Sequence, residues 1–193
     1  MKSKPIPYAV YSDGWVRAQA KLQGYLTEQM DQLEQLRLGL STDEQALVKK
    51  MEESQHVIGT LPSITVANLA NKPPLTDIKA SWIQLPYKEL VALAQHRKTY
   101  VRALLAIMLG PQKRHERPAE ILATDDAHIV RRSLALNVFI PVSVLAILAK
   151  DKDVWVRRRV AYHGNLPDRL AETLRDDPDE DVRHMVAMRL ELQ

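Results

Sequence analysis

Apolar positions in the first part of the chain recur at helical spacing. Trp15, Leu22, Leu26, Met30, Leu33, Leu36 and Leu40 follow one another at separations of three, four and seven, the recurrence of one face of an α-helix. The spacing predicts a helix over residues 14–40, about 40 Å long at about 1.5 Å per residue. Ser41 and Glu44 then form a capping box for a second helix reaching to about His56, with Leu47, Val48 and Met51 facing inward. The two helices are expected to fold back as an antiparallel helical hairpin over residues 1–59. Near-heptad spacing in the first also allows homo-oligomerisation, although Gly24 and the irregular separations favour folding back. Residues 60–87 contain Pro62, Pro73, Pro74 and Pro86 and read as a connector of short helical turns or extended chain.

From residue 88 to 193 the pattern repeats with a period of 26 residues. Val130-Arg131, Val156-Arg157 and Val182-Arg183 mark it, and further columns keep the register: Leu122, Leu148 and Leu174; Asp125, Asp151 and Asp177; Ala135, Ala161 and Ala187; Pro141 and Pro167. A looser copy runs through Val101-Arg102 with three extra residues before the next unit, placed in the loop of residues 110–118. One unit reads as two short helices. Val144, Leu145 and Leu148 form the apolar side of the first, and Asp153 caps a second carrying Val156, Val160 and Ala161. Gly164 and Asn165 suit its C-terminal end, and Pro167 prevents continuation. Neither helix buries its stripe alone, so about four units must stack. The predicted fold is all-α: a right-handed α-solenoid preceded by the N-terminal hairpin.

The run Leu148-Ala149-x-Asp151-x-Asp153-x-x-Val156-Arg157-x-x-Val160-Ala161, repeated around Asp177, Asp179, Val182-Arg183 and Val186-Ala187, resembles the leucine-rich repeat variant family and is similar to short HEAT-like repeats of the phycobilisome-lyase type. The resemblance covers residues 88–193 and implies a superhelix of helix pairs; it identifies an architecture rather than an activity. Some leucine-rich-repeat-variant proteins carry a cysteine-ligated iron–sulfur module, which this chain, with no cysteine, does not match.

Composition narrows the chemistry. The absence of cysteine excludes disulfides, thiolate metal sites and cysteine nucleophiles. The opening residues, interrupted by Pro5 and Pro7, do not read as a signal peptide, and no apolar run is long enough to span a membrane; the expectation is a soluble cytoplasmic protein without membrane contact. The six histidines are scattered, with no metal-binding spacing, and no phosphate loop or nucleophile elbow is present. No catalytic residue, metal or cofactor is therefore assigned. Because some HEAT-like proteins are DNA glycosylases, a DNA-modifying enzyme stands as the alternative to a non-enzyme.

The net charge is +3, and the excess lies wholly in residues 88–193, which hold 18 Lys/Arg against 15 Asp/Glu. The recurring Arg102, Arg131, Arg157 and Arg183 either bind phosphate in a row or pair internally with Asp125, Asp151 and Asp177. Shared periodicity favours the structural ladder. Arg132, Arg158 and His184 follow these arginines with no acidic column evident beside them, and with Lys113, Arg114 and Arg117 of the inserted loop they form the candidate basic binding surface. Trp155 and Tyr162 flank Arg157-Arg158-Arg159 and either stack on bases or pack between units; Trp15 and Trp82 are expected in the core or between domains. The expected function is a non-enzymatic scaffold or adaptor for an unidentified protein; the alternative is a nucleic-acid-binding module (DNA or RNA) using the basic stripe.

Overall fold

Helix α1 spans Asp13–Leu38 and α2 spans Thr42–Glu53. The turn between them is fixed by the predicted capping box: Ser41 Oγ accepts from the Glu44 N–H, and the Ser41 N–H donates to Glu44 Oε2 at 2.9 Å. The computed structural model describes residues 13–61 and 78–191, with side chains described over 24–55 and 82–190. Trp15 and Leu22 of the expected stripe lie outside the described side chains.

Two expectations for this region are corrected. The second helix does not reach His56: a strand, β1 (Gln55–Leu61), begins there and pairs antiparallel with β2 (Ile78–Ile83), Gln55 opposite Ile83 and Leu61 opposite Ile78, with an irregularity between Val57 and Gly59. A two-stranded ribbon thus occupies both ends of the stretch read as a connector. Nor does α1 pack chiefly along α2. It lies across the repeats, and its buried line is Tyr25, Gln29 and Leu33, whereas Met30 (62% exposed) and Leu36 (38%) face outward. The reason is the surface beneath: polar and aromatic side chains of the repeats select Tyr and Gln over leucine.

Residues 87–191 form four helix pairs, each with its own first and second helix: α3 (Tyr87–Ala94) with α4 (Thr99–Met108); α5 (Glu116–Ala123) with α6 (His128–Leu136); α7 (Val142–Leu148) with α8 (Val154–Ala161); α9 (Asp168–Glu172) with α10 (Glu180–Glu191). These and the two N-terminal helices make ten α-helices among the described residues, which are helical apart from the ribbon and the connecting turns. Pro86, Pro141 and Pro167 sit at the N-caps of α3, α7 and α9 with φ of −59°, −70° and −69°, the value their rings impose. The three extra residues form a short 3₁₀ turn, Lys113–His115, leading into α5.

Second helices pack in series, α4 on α6, α6 on α8 and α8 on α10, while α3 packs on α5 and α5 on α7. The repeating columns supply this core. Leu122, Leu148 and Leu174 are buried, as are Val130, Val156 and Val182, and Leu134, Val160 and Val186. α1 contacts α4 of the first pair and α10 of the last. No helix of the described residues is long and apolar enough to cross a membrane.

Candidate interaction surfaces

The periodic arginines and aspartates come together across unit boundaries. Arg102 reaches Asp125 through Nε and Nη2 at 2.6 and 3.1 Å, Arg131 reaches Asp151 at 2.7 and 3.1 Å, and Arg157 reaches Asp177 at 2.7 and 3.1 Å. Each is a bidentate fork on a carboxylate. The same aspartates also shape their turns, one oxygen accepting the N–H two residues on: Ala127 on Asp125, Asp153 on Asp151, Asp179 on Asp177. Arg131 and Arg157 are held above the ordinary arginine range, mainly by the bonded carboxylate. Arg183 stands in the same column but, among the described residues, bonds only carbonyls, those of Asp177 and Pro178.

The candidate basic surface is largely neutralised. A second acidic column exists, contrary to the expectation: Arg132 donates to Asp153 at 2.7 Å, and Arg158 grips Asp179 at 2.8 and 2.6 Å while lying 2.8 Å from Asp181. Asp153 at the same time caps α8 by accepting the Trp155 N–H. Each such pair joins a helix to the N-cap of the next unit's second helix, so the carboxylates serve as caps and counter-charges together. His184 lies 3.8 Å from Glu180, Arg117 bonds Glu120 and Arg114 bonds Gln84. Lys113 alone of the six has no partner among the described residues.

Trp155 and Tyr162 do not project as free stacking platforms. Trp155 stacks on Tyr25 of α1, centroids 4.0 Å apart and planes 7° from parallel, and Arg158 covers the Trp155 ring. Arg132 lies 4.9 Å from the Tyr25 centroid, and Gln29 bonds the buried Ser133. Tyr162 is covered by Arg159, whose charge burial disfavours. These contacts seat α1 on the side formed by the second helices. Trp82 meets Phe139 edge-on and closes over Gly110, where a Cβ would sit 2.4 Å from the indole Cγ.

A third column escaped the sequence reading because its residue types differ. Asn137, His163 and Arg189 are 26 apart, and each reaches back to carbonyls where the preceding unit's second helix ends: Asn137 to Ala106 and Leu109 at 2.8 Å, His163 to Asn137 at 3.0 Å, Arg189 to His163 and Leu166. Each supplies a donor to helix-end carbonyls that have no intrahelical partner, at buried sites for Asn137 and His163. Only the spacing could have revealed it, since no identity recurs.

Among the described residues no three His, Asp or Glu side chains gather as metal ligands. A depression of about 590 Å³, wide open, lies between the α1–α2 turn and Arg97 and Lys98. Its carboxylate, Glu44, is held down to about 2 by the Ser41 N–H and, further, by Arg97 and Lys98, so it is a structural anion rather than a proton carrier. No family model, curated protein or solved structure matches the chain.

Proposed function

We propose that the chain is a right-handed α-solenoid of leucine-rich-repeat-variant or HEAT-like helix pairs that works as a non-enzymatic, cytoplasmic protein-binding scaffold. The observation that carries this reading is the seating of α1. The surface formed by the second helices already recognises a helix, through the Tyr25–Trp155 stack, the Gln29–Ser133 bond and the Arg132 cation over Tyr25. The outward side of α1 then offers Met30 (62% exposed), Leu36 (38%) and Leu38 (69%), apolar area of the kind protein partners cover.

Phosphate binding has less support. A backbone-binding stripe needs cations free to replace counterions, and Arg132 and Arg158 are committed to Asp153, Asp179 and Asp181. The test sets the two against each other. Anisotropy of labelled DNA and RNA at about 50 and 200 mM salt should show no binding, while affinity capture from the native cell should retain a protein lost on the double substitution Met30→Asp, Leu38→Asp. Salt-sensitive nucleic-acid binding, abolished by reversing Arg132 and Arg158, would overturn the scaffold reading.

A further inference from the structure

Five of the eight buried side-chain nitrogen and oxygen atoms without a hydrogen-bond partner among the described residues belong to Trp82, Gln84, Gln112, Arg114 and His115. Trp82 closes over Gly110 and Gln84 bonds Arg114, so all five sit around one turn, residues 110–115. Two of the atoms, Gln112 Oε1 and His115 Nε2, belong to residues that line a cavity of about 110 Å³. Most of the remaining wall is apolar, from Leu109, Pro111, Ala119, Phe139, Ile140 and Pro141, and Glu116 adds one carboxylate. The turn sets the polar pair side by side. Lys113–His115 is the 3₁₀ turn, closed by the His115 N–H on the Gln112 carbonyl at 2.8 Å, and side chains three apart on such a turn eclipse. His115 is 2% exposed, and its Nδ1 accepts the Gly110 N–H at 2.6 Å, so the neutral ring carries its proton on Nε2. One edge of the cavity thus offers an N–H donor beside an amide oxygen acceptor.

We infer that this cavity is a binding site for a small neutral molecule bearing a lactam or primary carboxamide, whose carbonyl accepts from His115 Nε2 and whose N–H donates to Gln112 Oε1. Such a group projects donor and acceptor from one edge, the complement of the pair. Volume sets the size: an apolar cavity of about 150 Å³ admits benzene, so about 110 Å³ takes a five-membered ring. Water alone suits these walls poorly. At about 30 Å³ each, about three waters would fit, and those against Phe139, Ile140 and the prolines would lack the several polar partners that an ordered water needs. The Arg114 charge, which bears on His115, disfavours a cation, and Glu116 on the wall disfavours an anion, which leaves a neutral ligand. None of the cavity's residues belongs to the α1 seat, so this reading and the scaffold reading stand or fall separately.

The test is a long-range proton–nitrogen NMR titration of the full chain, isotope-labelled at its histidine nitrogens and held near neutral pH. Butyrolactam should shift the His115 Nε2 resonance saturably, with a Kd of about 1 mM or tighter. Cyclopentanone, the same ring and carbonyl without the N–H, should bind about tenfold more weakly, because it leaves Gln112 Oε1 unpaired. Gln112→Leu should erase that discrimination; Oε1 has no partner to lose, so the variant keeps the fold. Ala119→Leu, which fills the cavity, should abolish binding of both rings. No saturable shift would mean that the cavity holds water only, and overturns the inference. So does equal affinity for the two rings, or discrimination that survives Gln112→Leu. Binding of a blocked asparagine without that of the lactam overturns it too, by making the cavity a seat for a partner protein's side chain.

Discussion

Two histidines are buried as neutral bases, and their titration fixes one pH dependence. His115 accepts the Gly110 N–H on Nδ1 at 2.6 Å, and burial, then the Arg114 charge, lowers it from 6.5 to about 4. His163 accepts the Asn165 N–H on Nδ1 and donates from Nε2 to Asn137; burial foremost, with Arg159 and Arg189 nearby, lowers it too. With folded values below the unfolded 6.5, the unfolded chain binds more protons in between. Stability is therefore full above about 6.5 and declines as pH falls towards about 4. Urea midpoints should drop between pH 6.5 and 5, above the titration of ordinary carboxylates. His163→Asn, which installs the residue the preceding unit uses there, should flatten part of that slope. A purely steric case stands nearby: Gly110→Ala places a Cβ 2.4 Å from Trp82. It should cost about 1–3 kcal/mol and shift the Trp82 fluorescence.

Among the elements, the ladder separates a buried ion pair from a half-made one. Asp177 is buried and its bidentate partner is Arg157, so Arg157→Ala strands a carboxylate and should cost about 3–5 kcal/mol. Arg183→Ala loses carbonyl bonds alone and should cost about 1–2 kcal/mol, a difference denaturant titration resolves. What the sequence made legible follows from the same chemistry. Arg and Asp were visible because the joint keeps Arg in all four units and Asp in the last three, with His96 in the first. Asn137, His163 and Arg189 were not, because any long enough donor reaches a carbonyl. The partners of Arg132 and Arg158 were missed because Asp153 and Asp179 lie 21 residues ahead and read locally as helix caps. The buried line of α1 was misread because leucine spacing implies an apolar seat, whereas the surface beneath presents Trp155, Ser133 and Arg132. The ribbon was masked by prolines between strands whose Val57, Ile58, Ile78 and Trp82 have ordinary β character.

For the whole molecule, α1 decides how the pairs unfold. A stack whose pairs touch only their neighbours melts approximately as a one-dimensional array, so its ends can open while the middle persists. α1 changes that topology by contacting α4 at one end and α10 at the other. Local opening at either end must therefore loosen a helix seated along the stack, coupling opening of the first pair to opening of the last. The seat depends on one aromatic contact, Tyr25 on Trp155 at 4.0 Å, with Gln29 and Leu33 continuing the buried line. Removing the ring by Tyr25→Ala should do more than subtract its own contact, a loss of about 3–5 kcal/mol for a buried aromatic. The wild-type chain should unfold in one urea transition with tryptophan fluorescence and far-ultraviolet dichroism coincident. The variant should show the fluorescence change first and a shallower slope, with amide exchange in α4 and α10 approaching that of isolated ends. Coincident probes and an unchanged slope would mean that the pairs hold one another without the strap, and that α1 is a passenger on their surface.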